Sequence, residues 1–368
     1  MSPGRYGFVA AAALLMAVSA CSAAPKPPPT PEPTPTVASA DLAAQIEEVF
    51  TSPSGVFQGY GDVRAFLVVV DGETVVERYD ASSPADSHDV FSVTKSVMSV
   101  LIGIALEEGH LTSVDQTLAE LLPDYAPVMD PEVAGITLEQ VLTMMAGLPI
   151  DLPDIHETSD PVRRALTGTR LRSPGEQFLY SDYGANLLSA ILVEATGVST
   201  LDFAREHLFG PLGISAEPAS EPLMSEANQD LYDAAGFAWP VDAQGRHLGF
   251  AHLKLTAPDM VKIGQLMLAG GMWEGEQVVP AQWVTHSTSR QVELEDGEGY
   301  GYLWWVIPAG QHDAFAAAGF GGQLVEVVPD LDLIVVAATS VPDSESPSMD
   351  ASPLAALVDE VIVPALEP

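Results

Sequence analysis

The sequence predicts an α+β fold: an antiparallel β-sheet formed by the two ends of the chain, with a helical region between them. Three observations carry that expectation. A paired β-branched run stands near the start, in "AFLVVVDGETVVERY", and further runs stand near the end, in "QLVEVVP" and "DLIVVAATS". From about residue 112 to 290 the apolar residues fall mostly at helical spacing, interrupted by loops rich in Pro and Gly. Strands that return after a block of helices, rather than alternating with them, point to hairpins sharing one sheet and not to parallel βαβ units.

Each element has its own signal. Asp41 to Phe50 places Leu42, Ile46, Val49 and Phe50 on one helical face. Asp71-Gly72, between two β-branched runs, is a hairpin signal, because a tight two-residue turn needs left-handed backbone that Asp and Gly tolerate. Phe91 to Glu108 is apolar all round, the pattern of a buried central helix. "LEQVLTMMAGL" and "ANLLSAILVEATG" read as helices that stop at glycine. "GYGYLWWVI" reads as a strand, "QLVEVVP" and "DLIVVAATS" as two more, and a helix over Pro353 to Val363 closes the chain.

The first residues read as an export signal: Arg5, a short apolar run from Phe8 to Val18, then the small residues Ser19 and Ala20. "VSAC", ending in the sole cysteine Cys21, has the form of a bacterial lipobox; the alternative is an ordinary secretory signal with an incidental cysteine. With that thiol lipidated, the exported domain has no cysteine left for a disulfide. "APKPPPTPEPTPT" holds seven prolines and reads as a semi-extended tether, residues 22–40 serving as a spacer between residues 1–21 and a domain over 41–368. The formal charge of −37 excludes nucleic acid and disfavours an anionic membrane surface, so contact with a membrane is expected through the lipid alone.

Chemistry concentrates in "FSVTKSV". On a helix, positions three apart share a face, so Ser92 sets its hydroxyl beside the amine of Lys95. A serine hydroxyl needs a base, and a lysine serves as one when burial lowers its pKa toward neutrality. Phe91, Val93, Val97 and Met98 supply the apolar surroundings, and the helix start supplies N–H groups for an oxyanion. The competing reading is a helix-capping serine with a lysine reaching out to solvent, and four residues alone do not decide between the two.

That segment, followed by "EEGHLTSVDQTLAELLPDY", "ITLEQVLTMMAGLP", "SPGEQFLYSDYGANLLSAILVEATG" and "LTAPDMVKIGQLMLAGGMWEGEQVVPAQWV", resembles the serine β-lactamase and penicillin-binding-protein-like superfamily. The branch it looks most like holds class C β-lactamases, family VIII esterases and 6-aminohexanoate-dimer hydrolases. The resemblance runs through nearly all of residues 41–368 and implies an antiparallel sheet flanked by helices, plus an all-helical subdomain, with the site between them. It implies Ser92 as acylated nucleophile, Lys95 as its base and Tyr180 as a proton relay; Tyr183, one helical turn on, is the competing relay. Gly319 matches the glycine of the family's third element, and the Phe320 N–H would pair with that of Ser92 as an oxyanion hole.

Two departures stand out. Asp182 replaces the family's usual Asn, and a carboxylate beside Lys95 raises the lysine's pKa, so either Asp182 points away or the relay leans on Tyr180. Ala317 stands where the family carries Lys or His, which disfavours carboxylate-bearing substrates such as β-lactams and favours neutral or cationic esters and amides. No Gly-x-Ser-x-Gly elbow occurs, and His247 and His252, five apart, lack His-Glu-x-x-His spacing, so neither metal nor cofactor is expected; His156, His286 and His312 read as packing or surface residues. Of Trp304 and Trp305 on one strand, one belongs to the core and the other to the cleft. The expectation is a serine hydrolase acting through an acyl-enzyme on a small ester, amide or peptide-like substrate. The rivals are a β-lactamase or D-Ala-D-Ala carboxypeptidase, and an idle cell-envelope binding protein that keeps the fold.

Overall fold

The computed structural model describes residues 37–51, 63–149, 158–294, 297–340 and 352–367, all within one unit, Pro35–Pro368. The expected signal, Cys21 and most of the proline-rich tether lie outside them. Residues 37–40, assigned to the tether from sequence, belong instead to the first helix, α1 (Val37–Thr51).

The strands are β1 (Val63–Val70), β2 (Glu73–Tyr79), β3 (Ser87–Asp89), β4 (Lys254–Thr256), β5 (Met272–Trp273), β6 (Glu276–Gln277), β7 (Val292–Glu293), β8 (Gly299–Tyr300), β9 (Trp305–Ala309), β10 (His312–Gly319), β11 (Gln323–Val328) and β12 (Leu333–Thr339). Eight of these form one antiparallel sheet in the order β2-β1-β12-β11-β10-β9-β8-β7, so the first hairpin pairs with the last strand, as the sequence predicts. Asp71 and Gly72 both take left-handed φ, 51° and 78°, which turns β1 into β2 with Val70 opposite Glu73.

Both faces of the sheet are covered, and the period of two along the strands supplies each. Phe66 and Val68 of β1 face a core shared with Leu42 and Ile46 of α1 and with Leu354, Val358 and Ile362 of the C-terminal helical run. Ala65, Leu67 and Val69 face the larger core, which holds the central helix α2 (Val93–Glu107). Every residue of α2 from Val93 to Ala105 is buried, as its uniform apolarity implies. On the far side, α2 packs against α3 (Asp182–Thr196), which ends at Gly197, while α4 (Ala257–Leu268) lies against β11 and β12.

Two expectations are corrected. "LEQVLTMMAGL" is helical only over Leu138–Leu142, and Met144 turns left-handed at φ 58° before the glycine is reached. "GYGYLWWVI" is not one strand: β8 and β9 are separated at Gly301–Trp304, where Leu303 has φ 63°. Its carbonyl accepts the Ser96 hydroxyl at 2.7 Å and its N–H donates to Leu142 at 3.0 Å, so the break is anchored to both α2 and the helical region.

Candidate active site

Ser92 stands at the start of α2, and its side chain makes no cap hydrogen bond to the helix. Its hydroxyl instead accepts a hydrogen bond from Lys95 Nζ at 2.9 Å. The capping serine and the outward-reaching lysine are therefore both set aside, since Lys95 is 1% exposed. Nζ also donates to the Phe250 carbonyl at 2.8 Å. It sits 4.7 Å from the centre of the Tyr180 ring and 2.5 Å from Asp182 Oδ1, a buried carboxylate oxygen with which it forms an ion pair.

Asp182 does not point away. Burial pushes the Lys95 pKa down, as expected, but negative charge at Tyr180 and at Asp182, with hydrogen bonding to both, outweighs it and the net shift is upward. The expected fall toward neutrality is corrected accordingly. The surroundings therefore favour the ammonium form of Lys95, which lies among the Asp182 carboxylate, the Tyr180 ring, a carbonyl and a hydroxyl.

The two tyrosines separate. Tyr180 lies before α3 and is half-buried, stacked on Trp305 with ring centres 5.9 Å apart and 19° between planes. Tyr183 is 2% exposed and belongs to the larger core. The tryptophans also divide: Trp304 is fully buried against Phe315, and Trp305 lines the site beside Tyr180 and Phe178. Phe315 is itself buried.

The end of β10 closes the other side. A Cβ on Gly319 would sit 2.5 Å from the Val90 carbonyl and 3.2 Å from the Ser92 nitrogen, so only glycine lets the strand approach the start of α2. Phe320 follows, its ring 5.3 Å from that of Phe91. Among the described residues, neither the Ser92 nor the Phe320 N–H has a backbone partner, which suits two donors waiting for an oxyanion. Ala317 is fully buried in the larger core, and no cation stands at that position.

Three features of the site had no signal in the sequence. Phe91 has φ 45°, a left-handed value for a bulky side chain that costs on the order of 1–3 kcal/mol and clusters at functional sites. The Phe250 carbonyl comes from an irregular loop, and backbone oxygens leave no residue pattern to read. Asp89 and His252, joined at 2.8 Å, flank Phe91 from β3 and from that same loop. No group of His, Cys, Asp and Glu suited to a metal occurs among the described residues; His247 pairs with Glu221 at 3.1 Å.

Comparison with known proteins bears on the family and the fold. Residues 58–360 match the family described as Beta-lactamase. The 6-aminohexanoate-dimer hydrolase of Paenarthrobacter ureafaciens is 26% identical over 342 residues, covering 83% of this chain and 76% of its own. The protein flp of Staphylococcus aureus (strain MW2) is 26% identical over 156 residues, 40% of this chain and 31% of its own. Among solved structures, a penicillin-binding protein homologue from Caulobacter crescentus superposes with a TM-score of 0.67 at 20% identity, covering 88% of this chain and 98% of its own. A class C β-lactamase from Rhodobacter sphaeroides gives 0.61 at 19%, covering 90% and 100%, and a family VIII carboxylesterase 0.63 at 15%, covering 89% and 96%. With its strand order, its helices and the greater part of its length accounted for, the chain belongs to the Beta-lactamase family.

Proposed function

We propose that the protein is a serine hydrolase that works through an acyl-enzyme on ester or amide substrates lacking a carboxylate at the position the missing cation would bind. The observation that carries this reading is the 2.9 Å hydrogen bond between the buried Lys95 Nζ and the half-buried Ser92 Oγ, with Tyr180 and Asp182 alongside. In the proposed reaction Ser92 Oγ attacks the carbonyl carbon. Its proton passes to the Lys95–Tyr180 pair and from there to the leaving alkoxide or amine as the carbon–heteroatom bond breaks. The nearness of the two, 4.7 Å from Lys95 Nζ to the centre of the Tyr180 ring, lets the pair take up and return that proton as a unit. The tetrahedral oxyanion rests on the Ser92 and Phe320 N–H groups, and water, deprotonated by the same pair, then releases the acyl group.

Ala317 and the −37 net charge support neutral or cationic substrates. The aromatic wall of Trp305, Phe178 and Tyr180 supports an apolar acyl or leaving group. A second reading rests on Asp182: by raising the Lys95 pKa it favours a binding protein that no longer turns over. The test sets the purified protein and Ser92→Ala against a p-nitrophenyl ester and a chromogenic cephalosporin. Ester turnover that disappears in the variant supports the hydrolase. Cephalosporin turnover would move the assignment to a β-lactamase, and the absence of both turnover and a Ser92 adduct by mass spectrometry to the binding protein. We further propose export and lipid anchoring at Cys21, on the strength of "VSAC" and the apolar run before it. A mature membrane form whose intact mass lacks a modified N-terminal cysteine would overturn that anchor.

A further inference from the structure

We propose that Asp89 and His252 form a positioning pair that holds the Ser92 turn and the Lys95 acceptor loop in one reactive arrangement. This rests on the acyl-enzyme reading above and adds to it two residues outside the Ser-x-x-Lys, Tyr and Gly elements. The Asp89 carboxylate is shared between two chain segments. Its Oδ1 accepts the N–H of Phe91 at 2.8 Å, and its Oδ2 lies 2.8 Å from His252 Nδ1. Each segment is left-handed where it is gripped, Phe91 at φ 45° and His252 at φ 72°. For side chains of this size such a backbone relaxes unless something holds it.

The grip matters because both residues adjoin reactive groups in the chain. Phe91 immediately precedes Ser92, so relaxation of its φ swings the hydroxyl and the Ser92 N–H together. His252 lies two residues after Phe250, whose carbonyl accepts Lys95 Nζ at 2.8 Å, and one before Leu253. Leu253 is tied to the same turn twice: its carbonyl accepts the Val90 N–H at 2.9 Å, and its N–H donates to Thr94 Oγ1 at 3.2 Å. The His252 carbonyl accepts the Tyr232 hydroxyl at 3.2 Å, and Asp89 pairs in register with Lys254 across β3 and β4. The Phe91 ring packs between the His252 ring, 5.6 Å away, and the Phe320 ring, 5.3 Å away, so the oxyanion side is braced through the same residue. One carboxylate thus couples the orientation of Ser92 to that of its lysine. The pair's side chains are 17% and 16% exposed, so it is mostly withdrawn from water and its loss also costs stability. A purely structural role therefore predicts lost stability with the reactivity of the folded protein kept, whereas positioning predicts a large loss of reactivity in protein that is still folded.

The test measures phosphonylation of Ser92 in the full-length protein by a p-nitrophenyl alkylphosphonate, read as nitrophenolate release under single-turnover conditions. In that step Ser92 Oγ bonds to phosphorus, the aryl P–O bond breaks with its electron pair on nitrophenolate, and the serine proton passes through the Lys95–Tyr180 pair to solvent. Asp89→Ala and His252→Ala are each expected to slow the limiting rate constant at least about tenfold, with the half-saturating probe concentration within about threefold of wild type. The double variant is expected to be no slower than the slower single, because both act through one device. Asp89→Asn is expected to recover part of the rate, since an amide oxygen still accepts the Phe91 N–H. Additive losses, unchanged rates, or losses confined to half-saturation would overturn the proposal. Should wild type fail to react, the acyl-enzyme reading falls while the brace is still read by hydrogen exchange. Asp89→Ala must then speed exchange at the Phe91 amide at least about tenfold while the β11 and β12 amides stay protected, and an unchanged Phe91 amide overturns it.

Discussion

At Lys95 two opposing influences meet. Removal from water weakens the ammonium, and the carboxylate 2.5 Å away strengthens it. Asp182→Asn removes one of the contributions that raise the lysine, so its pKa falls. If Lys95 is the member of the pair that takes the proton, more of its neutral amine is present at neutral pH; if Tyr180 is, the lysine beside it is no longer shared with a carboxylate and supports it better. Both routes predict a rise in ester kcat/KM of about tenfold at neutral pH, with the acidic limb of the pH–rate profile moving to lower pH. A fall instead would make Asp182 part of the base. At Gly319 the constraint is steric. Gly319→Ala presses a methyl into the Val90 carbonyl and displaces the end of β10 from Ser92, and kcat is expected to fall about a hundredfold with only a modest drop in Tm. Ser92 and Lys95 were legible as candidates from their spacing, and Tyr180 and Gly319 from the family resemblance, because each is a side chain, or a missing one, in a short motif. Phe250 and the Asp89–His252 pair were not: one acts through its backbone, and the others meet only once two distant segments are laid side by side.

At the scale of elements, β11 carries a charge problem the sequence does not announce. Glu326 is 1% exposed, its Oε2 has no hydrogen-bond partner among the described residues, and burial, with Asp359 of the C-terminal helical run adding to it, lifts its pKa to about 8. The folded state therefore keeps a proton that the unfolded chain, with a carboxyl of ordinary pKa 4.5, releases. Stability contributed by that proton is complete below the lower value and drains away as pH climbs through the higher one. Glu326→Gln is expected to be neutral in acid and stabilising by on the order of 1–3 kcal/mol near pH 8, measured by urea denaturation across that range. A benefit that does not grow with pH would refute the protonated state. The strands themselves divide by composition. β1, β2, β11 and β12 are β-branched and legible, whereas β10 reads "HDAFAAAG", and alanine has little preference for a pleated sheet, so it is held by pairing on both sides rather than by propensity. The broken strand at Gly301–Trp304 escaped for a related reason: what interrupts it is anchoring by Ser96 and Leu142, residues far away in the chain.

Over the whole molecule the acidic surplus is a long-range field. Raising ionic strength from low to physiological is expected to increase kcat/KM several-fold for a carboxylate-bearing ester and to leave a neutral analogue nearly unchanged, because screening lifts only the repulsion on the anion. Equal salt response of the two esters would remove charge from the account of substrate choice. The α+β architecture and its helical middle were readable because strand runs sit at opposite ends of the chain and nothing but tertiary pairing could unite them. That union also governs assembly. β12, made after every other strand of the sheet, lies in its interior between β1 and β11, and without it the opening hairpin has no neighbour but itself. A nascent chain can therefore settle its helical middle early but cannot close the sheet until β12 has been made. Truncation after β11 should leave two sheet fragments prone to aggregation rather than a smaller native protein.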